Sequence, residues 1–193
     1  SRCRWQSTPE LACIETPTCR GRRLQAAPSR VRLTACTEAA ASPPKHRTLG
    51  SSCSSSPVTD GQGVFVYFRS GLLAAHEFDG KVRWQVNLVE RFGQEQLFWD
   101  QGTSPVTTEK HVVMARMHGG ESWVAGFDKA TGELGWQQSR NYSTPTENNN
   151  AYSTPVLFSH QGKPALLVWG ADRLTWHAAA GCQGAAQGAG PSR

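Results

Sequence analysis

No stretch of the 193 residues approaches the ~18 consecutive apolar positions that a membrane-spanning helix needs, and the longest such run lies near Ala165 to Trp169. Ser1 and the residues after it form no apolar core of a secretory signal. The six cysteines, Cys3, Cys13, Cys19, Cys36, Cys53 and Cys182, include no Cys-x-x-Cys pair and no adjacent pair. No histidine stands at metal-finger spacing from them, so no metal site is expected, and a disulfide framework has no defined pairing. His-Glu-x-x-His, Gly-x-Ser-x-Gly, a phosphate-cradling glycine loop and a calcium loop are all missing. Metalloprotease, hydrolase and nucleotide-binding chemistry therefore have no basis in the primary structure. His76, His111, His118, His160 and His177 are scattered, without partners at ligand spacing, and read as strand or turn residues.

The net charge of +5 is not spread evenly. Residues 1–50 hold nine Lys/Arg against three acids, whereas 51–177 hold ten against twelve. A basic segment beside a slightly acidic body is not a basic binding face, and no nucleic-acid partner is expected. Residues 1–50 mix Arg, Ser, Pro, Thr, Ala and Cys with no sustained period of 3.6 or 2, so they read as a low-order segment. Residues 178–193 form a Gly/Ala-rich tail that reads as disordered. The Arg- and Ala-rich flanks also fit out-of-frame translation of a GC-rich gene, an expectation that the nucleotide sequence tests.

Between the flanks, from 51 to 177, β-branched and aromatic runs alternate with Gly, Asp-Gly and Thr-Gly turns, the texture of many short strands. This body repeats itself. Ser56-Pro57-Val58-Thr59, Ser104-Pro105-Val106-Thr107 and Thr154-Pro155-Val156-Leu157 recur with prolines 48 and then 50 residues apart, a period in the range of propeller blades. Each opening leads to a continuous apolar strand, Val64–Phe68, Val112–Ala115 and Leu166–Trp169, expected to be buried on both faces. A second signal closes the unit. Asp79 and Gly80 precede Trp84 as Asp128 and Gly132 precede Trp136, each Trp four residues after its Gly. Asp and Gly suit a reversal between antiparallel strands, and the Trp offers a large ring to bury between sheets. The third copy, Leu174 to Gly181, lacks the Asp, the Thr and a following Trp.

An apolar strand, then Asp, Thr-Gly and a Trp resembles the pyrroloquinoline-quinone-like β-propeller repeat of bacterial proteins, over about 125 of the 193 residues. The resemblance implies an all-β partial propeller of about three four-stranded antiparallel blades, near 54–88, 104–140 and 153–177, the last incomplete. Trp84 and Trp136 would then be blade-docking residues, with Asp79, Gly80, Asp128 and Gly132 forming the turns. So few blades do not close a ring, and the chain reads as a fragment.

In such a propeller, ligands meet the loops that leave a fourth strand and those that join second to third strands. Two long connections match, Val89 to Thr103 and Arg140 to Ser153. They supply the ligand-face candidates Trp99, Asp100, Gln101, Arg140, Glu147, Asn148, Asn149 and Tyr152, a mixture of rings, amides and carboxylates suited to a protein, peptide or carbohydrate. Trp99-Asp100 precedes a strand opening and so differs from the strand-closing dipeptide of tryptophan-aspartate propellers. The family implies non-catalytic binding or scaffolding in the bacterial periplasm or envelope, with self-association through open blade edges. The alternative it implies is a periplasmic quinone-dependent alcohol or sugar dehydrogenase, using pyrroloquinoline quinone with calcium.

Overall fold

Glycine and aspartate turns join the β-branched runs into antiparallel meanders in the computed structural model, which describes residues 7–8, 10–11, 24–25, 45–46, 48, 50, 54–144 and 149–180. Within 1–50 lie three two-residue strands, β1 (Ser7–Thr8), β2 (Glu10–Leu11) and β3 (Leu24–Gln25), paired in that order. The first repeat forms β4 (Val58–Thr59), β5 (Val64–Tyr67), β6 (Leu72–His76) and β7 (Val82–Asn87), followed by a single-turn helix, α1 (Leu88–Phe92). The second forms β8 (Val106–Thr107), β9 (His111–Arg116), β10 (Trp123–Asp128) and β11 (Leu134–Ser139). The third forms β12 (Val156–His160), β13 (Lys163–Gly170) and β14 (Arg173–Ala178). Each sheet runs in chain order, which gives two four-stranded blades and a three-stranded one.

The helix interrupts a stretch that the sequence reads as connection. Asn87 starts it: its Oδ1 accepts from the amides of Val89 and Glu90, while its Nδ2 donates to Glu90 Oε1. The capping pattern is visible in the sequence, but five residues are too few for an apolar period to reveal.

Among the described residues no backbone ladder joins one blade to the next; a single antiparallel bridge, Met117 to Ala151, ties the second blade to the segment that enters the third, and side chains and loops do the rest. Phe65, Tyr67, Leu73 and Ala75 of the first blade meet Val112, Met114, Trp123, Ala125 and Phe127 of the second in one core. The opposite face of the second blade, with Val113, Ala115, Met117 and Val124, meets Leu166 and Val168 of the third. Burial of each of the large apolar side chains among them contributes roughly 1.5–3 kcal/mol, so both seams draw their stability from apolar area. At the opening of each repeat the seams are also stitched by hydrogen bonds. The Ser56 amide donates to Ser104 Oγ at 2.8 Å, and the Ser104 amide to Thr154 Oγ1 at 3.0 Å. One residue earlier, Ser55 Oγ donates to the Thr103 carbonyl and Thr103 Oγ1 to the Ser153 carbonyl. The repeated Ser/Thr-Pro openings are thus successive rungs of one ladder.

Both fourth strands carry a bulge immediately before the tryptophan. Ala75 pairs with Trp84 and His76 with Val82, leaving Arg83 as the extra residue; Gly126 pairs with Trp136 and Phe127 with Leu134, leaving Gly135. The two rings then diverge. Trp84 crosses to the second blade, where its Nε1 donates to the Lys129 carbonyl at 2.9 Å. A Cβ on Gly132 would lie 2.7 Å from that indole, and Gly132 has φ +75, so the Asp128–Gly132 turn needs glycine twice over. Gly80, at φ +93, serves the corresponding turn of the first blade, where Asp79 Oδ1 accepts from the Lys81 amide. Trp136 instead lies over Gly126 of its own sheet, where a Cβ would clash with its Nε1, and packs at the edge of the core shared by the second and third blades. That Nε1 finds no acceptor among the described residues. The third repeat has Ala178-Ala179-Ala180 where the second has Asp128-Lys129-Ala130, without the Asp that shapes the turn receiving Trp84.

The apolar run of the third repeat departs from burial on both faces. Leu166 and Val168 are buried against the second blade, but Trp169, one residue on and facing the other way, is 55% exposed. Val156 and Leu174 share that outer face and are also exposed. The strand is central within its sheet, and among the described residues only one of its faces has a neighbouring blade.

Replacing Trp84 with Ala is expected to lower stability by about 3–5 kcal/mol in urea denaturation, since it empties the seam between two blades. Trp84→Phe, which keeps a ring but loses the bond to Lys129, is expected to cost clearly less. Equal losses from the two variants would show that the hydrogen bond, rather than packing, couples the blades.

Candidate functional site

In an antiparallel meander, the connection from second to third strand and the exit from the fourth lie at the same end of the sheet. Here that end gathers Arg69 and Ser70 from the first blade, residues 93–105, the 117–122 turn, and residues 140–144 and 149–153 of the second long connection. The first long loop is fixed at its base. Arg116 donates from Nη1 to the Gly93 carbonyl at 2.9 Å and from Nη2 to that of Phe92 at 2.7 Å. Its guanidinium lies 5.1 Å from the Trp123 ring, and the Phe92 ring packs 4.6 Å from the same indole. A cation at the carboxyl end of α1 also suits the helix terminus.

Farther along, Lys45 Nζ donates to the Leu97 carbonyl and the Trp99 amide donates to Tyr152 Oη at 3.0 Å. Asp100 accepts from the Lys45 amide and from Arg69 Nε. Burial works against the Asp100 anion, but the Lys45 amide and the Arg69 guanidinium outweigh it and hold the carboxyl below the usual carboxylate range. Four anchors therefore grip residues 97–100 while Phe98, 71% exposed, and Trp99, 47% exposed, project outward. Their rings meet edge to face at 5.0 Å, and His46 lies 5.6 Å from Trp99. Beside Trp99 opens a pocket of about 280 Å³, lined by His46, Ser54, Trp99, Asp100, Gln101 and Gly102. Gln101 is 3% exposed, and its Oε1 has no hydrogen-bond partner among the described residues.

Glu95 and His118, neither of them a candidate from the sequence, sit behind this loop. Burial pushes the Glu95 carboxyl up, against the opposing pull of Lys45, Arg116 and Arg69. Its Oε2 has no hydrogen-bond partner among the described residues. His118 Nδ1 accepts from the amides of Gly120 and Gln96, so the ring proton belongs on Nε2, which is likewise buried without a partner. Nothing in the sequence separates these two from surface residues, because their burial comes from two blades closing over them.

The second long connection contributes differently. Arg140 is 1% exposed, and its guanidinium is engaged inside the seam rather than offered to a ligand. Nε donates to Thr175 Oγ1 at 3.2 Å, Nη1 contacts Met117 Sδ, and Nη2 reaches the Gly170 carbonyl at 3.3 Å. Asn149 lies near Gly119, and Asn150 Oδ1 is buried without a partner. Asn141 Oδ1 accepts from the Ser122 amide. Glu147 and Asn148 lie outside the described residues. The structure thus brings Trp99, Asp100, Gln101 and Tyr152 together and keeps Arg140 apart as a cross-blade tie.

These blades define the chain as part of a β-propeller of pyrroloquinoline-quinone-like repeats. The family model described as outer membrane protein assembly factor BamB matches residues 4–181, and the chain belongs to that family. The match takes in most of residues 1–50, which composition alone sets apart. Among solved structures, the quinohemoprotein alcohol dehydrogenase ADHIIG from Pseudomonas putida HK5 is 11% identical with a TM-score of 0.58, covering 93% of this chain and 34% of that one. The quinohemoprotein alcohol dehydrogenase from Comamonas testosteroni is 10% identical with a TM-score of 0.54, covering 92% and 34%. BamB from Moraxella catarrhalis is 13% identical with a TM-score of 0.48, covering 93% and 47%. At such identities the likeness shows the fold alone, and the chain spans between a third and a half of these structures. No curated protein matches the chain.

The described donors on this face do not fit a calcium-held quinone. Asp100 is committed to Arg69, and Glu95 faces Arg116, Arg69 and Lys45, cations that would repel a metal ion. Among the described residues no three of His, Cys, Asp and Glu gather at metal-binding distance.

Arg140 also sets a pH dependence. Thr175 Oγ1 accepts from Arg140 and lies 2.9 Å from His177 Nε2. Burial, reinforced by the Arg140 charge, pushes His177 down to about 4. Between pH 6.5 and about 4 the unfolded chain therefore binds the proton that the folded chain refuses, so stability falls as pH drops through that window. His76, His111 and His118 are lowered by burial too and act with the same sign. Denaturation across pH 7 to 4 is expected to show this loss, with His177 contributing about 3 kcal/mol. His177→Gln is expected to flatten the profile, and an unchanged slope would place the acid sensitivity elsewhere.

Proposed function

We propose that the chain is a non-catalytic binding and scaffolding module of the bacterial cell envelope, with its partner polypeptide on the loop face. The observation that carries this reading is the Phe98–Trp99 pair, two exposed aromatic rings on a backbone gripped by Lys45, Arg69 and Tyr152. Exposed rings cost solvation, and holding them in place removes the entropy that a partner would otherwise pay on binding. Family membership supports the same reading, since the family is described as an outer membrane protein assembly factor. Among the described residues no helix is long and apolar enough to cross a membrane.

The direct test dilutes a urea-unfolded outer-membrane barrel polypeptide into buffer containing the chain and follows binding by fluorescence anisotropy. Saturable binding is expected, with no dye-linked oxidation of alcohols or sugars by the monomer when pyrroloquinoline quinone and calcium are supplied. Turnover in the monomer fraction would replace the scaffold reading with a dehydrogenase.

The outer face of the third blade supports self-association through a second copy. Val156, Trp169 and Leu174 lie exposed on the face equivalent to those by which the first and second blades each pack on their successor. Sedimentation velocity is expected to show concentration-dependent association that Trp169→Glu abolishes. A wild-type chain that stays monomeric at high concentration would remove this contact.

A further inference from the structure

We propose that His118 is an acid-sensitive latch on the loop that presents Phe98 and Trp99, so that protonation of its imidazole frees the loop and weakens partner binding. For its consequence the inference rests on the protein-binding reading above, and it names how that surface is regulated.

The latch is a single lone pair. Nδ1 of His118 accepts from the Gly120 amide at 3.0 Å, within its own turn, and from the Gln96 amide at 3.2 Å, in the long loop. A backbone N–H only donates, so both bonds exist only while Nδ1 carries no proton, and an imidazolium would aim its own N–H at two others. The ring is pinned where it stands. A Cβ on Gly120 would lie 2.7 Å from its Cε1, while Ser122 Oγ accepts from the His118 amide at 3.0 Å and donates to the His118 carbonyl at 3.1 Å. His118 is 3% exposed, and with Nε2 buried and unpartnered among the described residues, an imidazolium charge has no hydrogen-bonded outlet on that side either.

The surroundings act in the same direction. Burial, then the charges of Arg116 from β9 and of Lys45, disfavour the imidazolium; the Glu121 backbone favours it, and the balance leaves His118 below its ordinary 6.5. Glu95, next to Gln96 in the loop, titrates in the opposite sense. Burial, aided by Asp100, raises its carboxyl against Lys45, Arg116 and Arg69, so the closed loop takes up a proton there that an open loop would release. Tyr67 faces Glu95 and Arg116 from the first blade, and burial raises its phenol away from the acid range. Protonating His118 removes two backbone hydrogen bonds, whereas Glu95 Oε2 has no partner among the described residues to lose. His118 therefore sets the release and Glu95 tempers its steepness. Asp100, held below the usual carboxylate range, keeps its ties to Lys45 and Arg69 to lower pH. The sign follows from linkage: the open loop binds a proton at His118 that the closed loop refuses, so the closed state is fully favoured above pH 6.5 and loses ground as pH falls below it.

The experiment uses the full chain. Long-range nitrogen–proton NMR at pH 7 is expected to show His118 neutral with its proton on Nε2. Between pH 7 and 5 the hydrogen-exchange protection of the Gln96 amide is expected to fall relative to the amides of β10. The fall should approach about tenfold per pH unit in Glu95→Gln, where one proton is bound on opening, and be shallower in wild type. His118→Asn, whose Oδ1 replaces Nδ1 as acceptor without titrating, is expected to flatten the profile. The unfolded barrel polypeptide is expected to bind wild type more weakly at pH 5 than at pH 7, with a clearly smaller loss in His118→Asn. A proton on Nδ1 at pH 7, unchanged Gln96 protection in Glu95→Gln, or an acid response that survives in His118→Asn would each overturn the latch. The first two measurements leave His118 in place, so they decide the matter even if His118→Asn fails to fold. If the Gln96 amide opens while the barrel polypeptide binds equally well at both pH values, the regulatory role falls and the scaffold reading stands. If the barrel polypeptide binds at neither pH, the scaffold reading falls, and the NMR and exchange results still judge the latch.

Discussion

The indole of Trp84 lies on Gly132 of the next sheet and gives its Nε1 proton to the Lys129 carbonyl. Among the described residues the blades share no backbone ladder, so cohesion between them depends on face-to-face apolar contact, and this ring closes the seam of the first two blades at the turn end. Arg83, the bulge residue beside it, donates bidentately to Glu77 and reaches the Lys129 carbonyl as well. Lys129 in turn pairs with Asp60 at 2.8 Å, so the turn of one blade is gripped by three side chains of its neighbour. The Ser/Thr rungs stitch the same seam at the repeat openings.

At the opposite end of the two sheets the long loop is held over both blades. The candidate site follows from that covering. Arg116 ties α1 to the second blade, Lys45 and Arg69 reach the loop from the first side, and Tyr152 holds it from the second connection. Each tie uses a charge or a backbone group that might otherwise have met solvent, and the rings of Phe98 and Trp99 are what remains outside. The second seam uses another solution. Arg140 fills it as a cation surrounded by carbonyl oxygens, Thr175 and Met117, and burial in the same seam, reinforced by the Arg140 charge, holds His177 neutral.

The repeat was legible because its signals are local. Pro at each opening, Gly in each reversal and Trp four residues later all act within a single hairpin, where φ preference and ring size suffice. Helix α1 was hidden by its length, and the exposed outer face of β13 by the lack of any local mark distinguishing a strand with two neighbouring blades from a strand with one. At the site, Trp99, Asp100 and Gln101 could be nominated from composition, since a loop rich in rings and amides is suspect wherever it lies. Glu95, His118 and Arg69 could not, because what matters about them is the company they keep across more than twenty residues of chain.

The amino-acid sequence by itself determined the all-β class, the 48- and 50-residue spacing of the repeats and the turns that build each blade, all consequences of contacts a few residues apart. Tertiary structure alone decided that Trp84 bonds across a seam while Trp136 lies over its own sheet, that Arg140 is buried, and that Asp100 is neutralised. Those outcomes turn on which groups two packed sheets bring within a few ångströms of one another, and burial sets the cost of each unpaired charge only after the sheets have met.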